Sequence, residues 1–354
     1  MADEANEMNG LNGMPCAAAP LPDLLAAAFA ARRELLARCA AEGTTAYRLF
    51  HGSAEGYGGL SIDRYGDALL VQSFHRPLAD GEWQAIEAFY RDAQPGLCAF
   101  YNDRSMGNSR VSNLLARDAA KLAAQPRTFS ELGVNYRFRA RHDGQDPWLF
   151  LDLRAARRRV AREAAGRSVL NCFAYTCGVG IAAAVAGASE VVNIDFAESA
   201  LAVGKENAGL NRIPISVRFI RSDFFAALRQ YAGLGQNRVV RGKRLPDFPK
   251  LDVRRFDLVF LDPPRYARSA FGVVDLVNDY PAVFKPALLA TAEGGTLYCC
   301  NNVAEVDRLA WLDQLERSAR KAGRPIREAE WILPEADFPS RDGNPPLKVL
   351  RLSV

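Results

Sequence analysis

Hydrophobic and polar positions change rhythm along the chain, and the changes divide it. After a non-periodic stretch to about residue 20, expected as a mobile tail, Leu24, Leu25, Phe29 and Leu36 fall on one side of a helix running from Pro22-Asp23 to Cys39. Between residues 47 and 102 the pattern shortens to strands at 47–50, 60–64, 68–74 and 97–102, with a helix near 83–90. Arg64-Tyr65-Gly66-Asp67 suits a hairpin turn. Residues 131–140 alternate like a strand wet on one face and lead into a linker, 142–147. Beyond Trp148 strands and helices alternate. Strands are predicted at 168–172, 190–194, 216–220, 256–261 and 296–300, each pair separated by a helix, which argues for a parallel sheet covered on both faces. The last apolar runs, 327–333 and 347–354, fit an antiparallel hairpin at the sheet edge. The expected fold is α/β, with a small α+β domain over 21–141 and a Rossmann-like domain over 142–354; no internal repeat is visible.

The stretch from Val169 to Gly180 reads as a buried strand, a turn and an Ala-rich helix. Such a turn offers free backbone N–H groups to a polar small molecule at the end of a sheet. Bulky Phe173, Tyr175 and Thr176 leave little room for the pyrophosphate of a nicotinamide or flavin cofactor, so S-adenosylmethionine fits better. Asp195, Asp223 and Asp262 each follow a predicted parallel strand, on the side where open sheets bind ligands. One such acid can cap a helix, but three at consecutive strand ends point to one shared site. In Asp262-Pro-Pro-Arg-Tyr266 the consecutive prolines fix an extended backbone, so a carbonyl and the Asp262 carboxylate can grip a nucleobase while Tyr266 stacks on it.

Composition narrows the chemistry. The formal charge of +4 over 354 residues neither demands nor excludes nucleic acid. Cys16, Cys39, Cys98, Cys172, Cys177, Cys299 and Cys300 are scattered without paired spacing, which suggests neither a disulfide framework nor a zinc ribbon. With only His51, His75 and His142 available, no metal is expected. The sequence contains no long apolar run suited to a membrane span and no secretory pattern at its acidic start, so a cytoplasmic protein is expected. The pattern leaves the oligomeric state open between monomer and homodimer.

Three segments together, Leu149-Phe-Leu-Asp-Leu-Arg154 with Arg157, Leu170-Asn-Cys-Phe-Ala-Tyr-Thr176 and Asp262-Pro-Pro264, resemble the class I S-adenosylmethionine-dependent methyltransferases of 23S rRNA that act on guanine N7 or cytosine C5. The likeness runs from about His51 onward and includes Gly59-Leu-Ser-Ile-Asp-Arg-Tyr-Gly66; an RNA-binding PUA module found in some relatives has no counterpart. The resemblance implies a seven-stranded methyltransferase domain and S-adenosylmethionine as cofactor, with S-adenosylhomocysteine as product. It places Phe150, Asp152, Arg154 and Asn171 at the cofactor, with Phe173, Ala174, Tyr175, Thr176, Cys177 and Gly178 on its loop. Asp195 would hold the ribose and Asp223 and Phe224 the adenine, with Phe196 and Ser199 also at the cofactor. Asp262, Pro263, Pro264, Arg265 and Asn302 would face the methyl group and target base, with Tyr266 and Asn301 contacting the substrate. Two departures stand out: Cys177 replaces a usual Gly, and Asp146-Pro-Trp148 replaces Thr-Gly.

Cytosine-C5 transfer needs a thiolate to attack C6. The cytosine enzymes end the strand after Gly294-Gly295 in Phe-Ser-Cys-Ser, and Asn302 occupies that Cys position here. Cys299-Cys300-Asn301-Asn302 instead resembles the Ser-Asn-Asn of guanine-N7 enzymes, whose acceptor carries its own lone pair and needs only positioning. Guanine N7 of 23S rRNA is therefore the leading expectation. The alternatives are cytosine-C5 methylation through Cys300 or Cys299, and an RNA- or cofactor-binding module without catalysis. Basic residues crowd the helix holding Arg154, Arg157, Arg158, Arg159 and Arg162. They also fill an insertion with Arg238, Arg241, Lys243, Arg244, Lys250, Arg254 and Arg255, and either could contact RNA phosphates.

Overall fold

The computed structural model describes residues 19–106, 117–142, 144, 146–240 and 242–354. Most of the expected tail and Arg241 lie outside the described residues. Helices α1 (Leu21–Ala31) and α2 (Arg33–Ala41) replace the single helix expected there. The backbone departs from helical geometry at Arg32 (φ −93°, ψ 3°), where the buried guanidinium turns inward to bond the Arg48 carbonyl and Glu55. Strands β1 (Ala46–His51), β2 (Leu60–Tyr65) and β3 (Ala68–Ser73) form an antiparallel meander. Helix α3 (Asp80–Ala93) then carries the chain across to β4 (Cys98–Asp103), parallel to β3. The two-residue turn Gly66-Asp67 places Gly66 at φ +65°, which a residue without Cβ adopts freely. Leu49, Ile62, Leu69 and Val71 point from one face of this sheet into a core shared with Leu25, Leu35 and Ile86 of the helices.

Helix α4 (Arg117–Ala124) leads to β5 (Arg127–Glu131) and β6 (Val134–Phe138). The single strand expected over 131–140 is instead the second half of this hairpin: Leu132 and Gly133, both at positive φ, reverse the chain. Then follow α5 (Arg154–Glu163), β7 (Ser168–Cys172), α6 (Gly178–Val185), β8 (Glu190–Asp195), α7 (Glu198–Gly209), β9 (Val217–Arg221) and α8 (Phe224–Tyr231). The insertion holds a short ribbon, β10 (Val239–Val240) and β11 (Lys243–Arg244), before β12 (Phe256–Leu261). A second ribbon not expected from sequence, β13 (Tyr266–Arg268) and β14 (Val273–Asp275), precedes α9 (Tyr280–Ala290), β15 (Thr291–Asn301), α10 (Arg308–Lys321), β16 (Glu328–Ile332) and β17 (Lys348–Ser353).

Seven strands form one sheet in the order β16-β17-β15-β12-β7-β8-β9. The five from β9 to β15 are parallel, and β17 inserts antiparallel between β15 and β16, as the terminal apolar runs predict. Strand order reverses between β7 and β12, and a crevice opens beyond the carboxyl ends of strands at such a point. The β5–β6 hairpin joins the two sheets. Tyr65 of β2 stacks on Phe138 at 4.5 Å, and Phe129 and Tyr136 share a core with Leu149, Cys177 and Ile181.

Candidate active site

The backbone of the 173–178 loop is unusual before any ligand is considered. Phe173, Tyr175 and Cys177 all have positive φ, 48° to 63°, a region that costs a non-glycine residue of order 1 kcal/mol or more. Its surroundings hold it there. Asp195 Oδ2 accepts from the Tyr175 N–H at 2.8 Å, the Thr176 hydroxyl donates to the Trp148 carbonyl, Asn207 Nδ2 donates to the Thr176 carbonyl at 3.0 Å, and Tyr136 donates to the Gly178 carbonyl at 3.0 Å. Gly180 has no alternative: a Cβ there would stand 2.0 Å from Asn193 Oδ1, the atom that accepts from Asn171 Nδ2.

Two cavities open at the strand ends. One, of about 560 Å³, is lined by Asp146, Phe150, Asp152, Asn171, Phe173 to Thr176, Gly178, Asp195, Phe196, Asp262 to Arg265 and Asn302. The other, of about 320 Å³, is lined by Phe173, Ile194, Asp195, Phe196, Ser222 to Phe225 and residues 267–272. Phe173, Asp195, Phe196 and Pro264 belong to both, so the cavities adjoin. The smaller is mostly apolar, with Phe173 stacked on Phe224 at 4.6 Å, and suits a flat heterocycle. Between the two stands Asp195, 8% exposed, each carboxylate oxygen already accepting one backbone N–H and retaining lone pairs for hydroxyl donors. Burial raises its pKa, with the backbone N–H groups pulling against that.

Asp262 and Asp152 face the larger cavity together. Burial first, and then the Asp152 charge, push the Asp262 carboxyl up to about 7, against the hydrogen bond from the Cys300 thiol and the Arg157 charge. Arg157 also lines this cavity; its guanidinium is 1% exposed and forks onto the buried Glu131 carboxylate at 2.5 and 2.9 Å.

Several expected site residues lie elsewhere. Arg154 does not reach the cavity: fully buried, it pairs with Asp337 at 2.6 Å and Glu335 at 3.1 Å. Arg158 of the same helix pairs with Glu42 and Glu335, and Arg159 with Glu163 and Glu330, while Arg162 is exposed. Asn301 is buried, its Oδ1 accepting from the Val303 N–H and its Nδ2 donating to the Leu276 carbonyl, so it shapes the turn after β15 while exposed Asn302 lines the cavity. Asp223 caps α8 through the Phe225 and Ala226 N–H groups and still lines the smaller cavity. Ser199 and Tyr266 are exposed and line neither. Lys243 and Arg244 are exposed on the insertion ribbon and line neither cavity.

The two departures are absorbed. Cys177 lines neither cavity: it is buried against Gly204, where a Cβ would come within 2.5 Å of its sulfur. The Asp146 carbonyl accepts from the Tyr175 hydroxyl at 3.1 Å, and its carboxylate pairs with Arg104 at 2.9 Å. Sequence reasoning missed Arg268, Phe271 and Pro246 on the smaller cavity, and the short β13–β14 ribbon that delivers two of them left too little periodicity to read.

A seven-stranded sheet with a ribose-ready acid at the end of its second parallel strand defines a nucleoside-cofactor enzyme of the class I methyltransferase kind. The chain belongs to the S-adenosylmethionine-dependent methyltransferase family, whose profile matches residues 47–352. It is 30% identical to the ribosomal RNA large subunit methyltransferase I of Aeromonas salmonicida over 310 residues, covering 84% of this chain and 71% of that one; the Escherichia coli (strain SMS-3-5) protein of the same name is 26% identical over the same shares. Two solved structures share the fold at a TM-score of 0.73, covering 94% of this chain and 81% of theirs. One, at 22% identity, is complexed with S-adenosylhomocysteine, and the other, at 23%, is from Streptococcus mutans. S-adenosylmethionine is the cofactor, and it supplies a methyl group on a sulfonium. The adjoining cavities fit it, one apolar around the stacked Phe173 and Phe224, one holding the charged Asp152 and Arg157, with Asp195 between.

Proposed function

We propose that this methyltransferase acts on large-subunit ribosomal RNA and methylates a guanine at N7 without a covalent intermediate. The ribosomal substrate is supported by the names of the relatives, and the atom by the wall of the larger cavity. Asn302 stands on that wall with Asp262, Pro263 and Arg265, and none of the described cysteines lines it. Cys299 and Cys300 are fully buried, and burial raises both thiol pKa values, which disfavours the thiolate. In this reading Phe173, Phe224 and Asp223 hold the adenine and Asp195 the ribose. Asp152 and Arg157, of opposite charge, hold the amino and carboxylate ends of the methionine. The rigid Asp262-Pro263-Pro264 backbone and Asn302 fix the acceptor base so that its lone pair lies in line with the methyl. Arg265 pairs with Glu305 across 3.5 Å of exposed surface and can exchange that partner for a phosphate.

The test is methyl transfer from labelled cofactor to 23S rRNA of a strain lacking the gene, followed by mapping. Label on a guanine that becomes cleavable after borohydride and aniline, with the Cys299→Ser/Cys300→Ser double variant within about threefold of the parent, is expected. A trapped adduct with 5-fluorocytosine RNA would replace this reading with cytosine C5 through Cys300, which the β12–β15 register sets beside Asp262. Cofactor binding without transfer to any RNA would leave only the binding module.

A further inference from the structure

Strands β3 and β4 run parallel and end in register, Ser73 opposite Asp103, so the next residue of each, Phe74 and Arg104, leave the sheet side by side. Their backbones are pinned there: the Phe74 N–H donates to the Gly59 carbonyl and the Arg104 N–H to the Ser73 carbonyl, each at 2.7 Å. Arg104 lays its guanidinium over the Phe74 ring, 5.2 Å from the centroid, and Phe74 stays 39% exposed. The ring quadrupole attracts the cation, so each restricts the other and the pair presents an ordered aromatic surface to solvent.

This pair is fastened to the larger cavity. Arg104 bonds the Asp146 carboxylate at 2.9 Å, and Asp146, which lines that cavity, accepts from the Tyr175 hydroxyl through its carbonyl at 3.1 Å. Tyr175 packs against Phe150 at 5.6 Å; both line the cavity, and Phe150 is 39% exposed. One ion pair therefore separates the stacked Phe74 and Arg104 from the cavity wall. A second cation meets a ring at that wall: Arg139, which makes no ion pair among the described residues, lies 5.4 Å over Trp148, another lining residue. The Asp146-Pro147-Trp148 departure thus supplies a partner to both cations, Asp146 to Arg104 and Trp148 to Arg139.

A single exposed Phe needs no explanation, but rings interleaved with arginines from the end of a sheet to the mouth of a catalytic cavity match what single-stranded nucleic acid binds. Unpaired bases offer their faces for stacking, which a duplex does not, and the Arg139 charge, unmatched by a carboxylate, favours an anionic chain. We propose that Phe74, backed by Arg104 and leading to Phe150, is a stacking platform for an unpaired base of the acceptor RNA beside the nucleotide that is methylated. This inference rests on RNA being the acceptor.

Phe74→Leu, Phe74→Ala and Phe74→Trp test it in the full chain, with protein-free 23S rRNA from a strain lacking the gene as probe. Leu keeps an apolar side chain of similar size but no stacking face, so Phe74→Leu should raise the KM for RNA about tenfold, as one lost base stack does, and Phe74→Ala at least as much. Phe74→Trp, which keeps a flat face, should stay within about threefold of the parent. In all three, kcat at saturating RNA and the calorimetric Kd for S-adenosylmethionine should stay within about twofold, because Phe74 lines neither cavity. A rise in KM below threefold for both Leu and Ala, or a Trp variant that fails as badly as Leu, would overturn the platform while leaving the RNA reading intact. A parent chain that binds cofactor but transfers no methyl to RNA would overturn that reading, and the platform with it.

Discussion

At the scale of single residues, Asp262 is the group whose environment is most informative. Free carboxyls titrate near about 4, whereas Asp262 in the fold titrates at about 7 because burial and Asp152 oppose its charge. Between those two values the folded chain holds a proton that the unfolded chain has released. The stability this group contributes is therefore fully present below about pH 4 and is lost as pH rises through 7. Calorimetry of the cofactor-free protein should show a midpoint that declines over that window, and Asp262→Asn should flatten the decline; equal slopes in both proteins would refute the assignment. The same variant should lower kcat by about a hundredfold, with a smaller effect on cofactor affinity, if the carboxylate positions the reacting groups. Cys177 makes a second prediction. Its sulfur fills the space that Gly204 leaves, so Gly204→Ala should cost about 1 to 3 kcal/mol in urea unfolding, and adding Cys177→Gly should recover most of it.

At the scale of elements, α5 is the most heavily tied. Its arginines reach four separate segments: Arg157 to Glu131 on β5, Arg158 to Glu42 after α2, Arg159 to Glu330 on β16, and Arg154 with Arg158 to Glu335 and Asp337 in the β16–β17 connection. Asp337 in turn accepts from the Arg48 N–H of β1, so one carboxylate joins both sheets to this helix. Breaking a buried pair strands a charge, whereas removing both members does not. Arg154→Met should destabilise by about 3 to 5 kcal/mol, and Arg154→Met with Asp337→Leu by clearly less, measured as a double-mutant cycle. A cycle with no coupling would mean the pair is incidental. This network takes up the charges of Arg154, Arg157, Arg158 and Arg159 within the fold, whereas Arg162 on the same helix stays exposed.

At the scale of the molecule, exposed positive charge gathers on the insertion. Lys243, Lys250 and Arg255 are exposed, and so is Arg244, which pairs with Asp247 at 3.7 Å. Phe248 packs edge-on against Phe271 of the β13–β14 connection at 5.6 Å, and Pro246 lines the smaller cavity, so the insertion is anchored at the site. Changing these four cations to Ala should weaken RNA binding and lower the slope of log affinity against log salt by roughly 0.7 for each phosphate no longer neutralised, with cofactor affinity unchanged. An unchanged slope would place the RNA elsewhere.

The sequence by itself determined the strand and helix rhythm after Trp148, the edge hairpin of the seven-stranded sheet, and the acids at the strand ends, because each is written in short-range periodicity or turn chemistry. It misread what depends on partners distant in the chain. The Arg32 break and the 127–138 hairpin are set by residues that sequence spacing does not pair, and a row of Arg on one helix carries the same pattern whether its charges meet phosphates or buried carboxylates. Tertiary structure alone decided that Arg154 turns away from the cavity while Arg157 faces it, that Asn301 caps a turn while Asn302 faces the cavity, and that Cys177 fits. Neighbouring side chains on a strand or helix differ in direction, and only packing says which direction is the site.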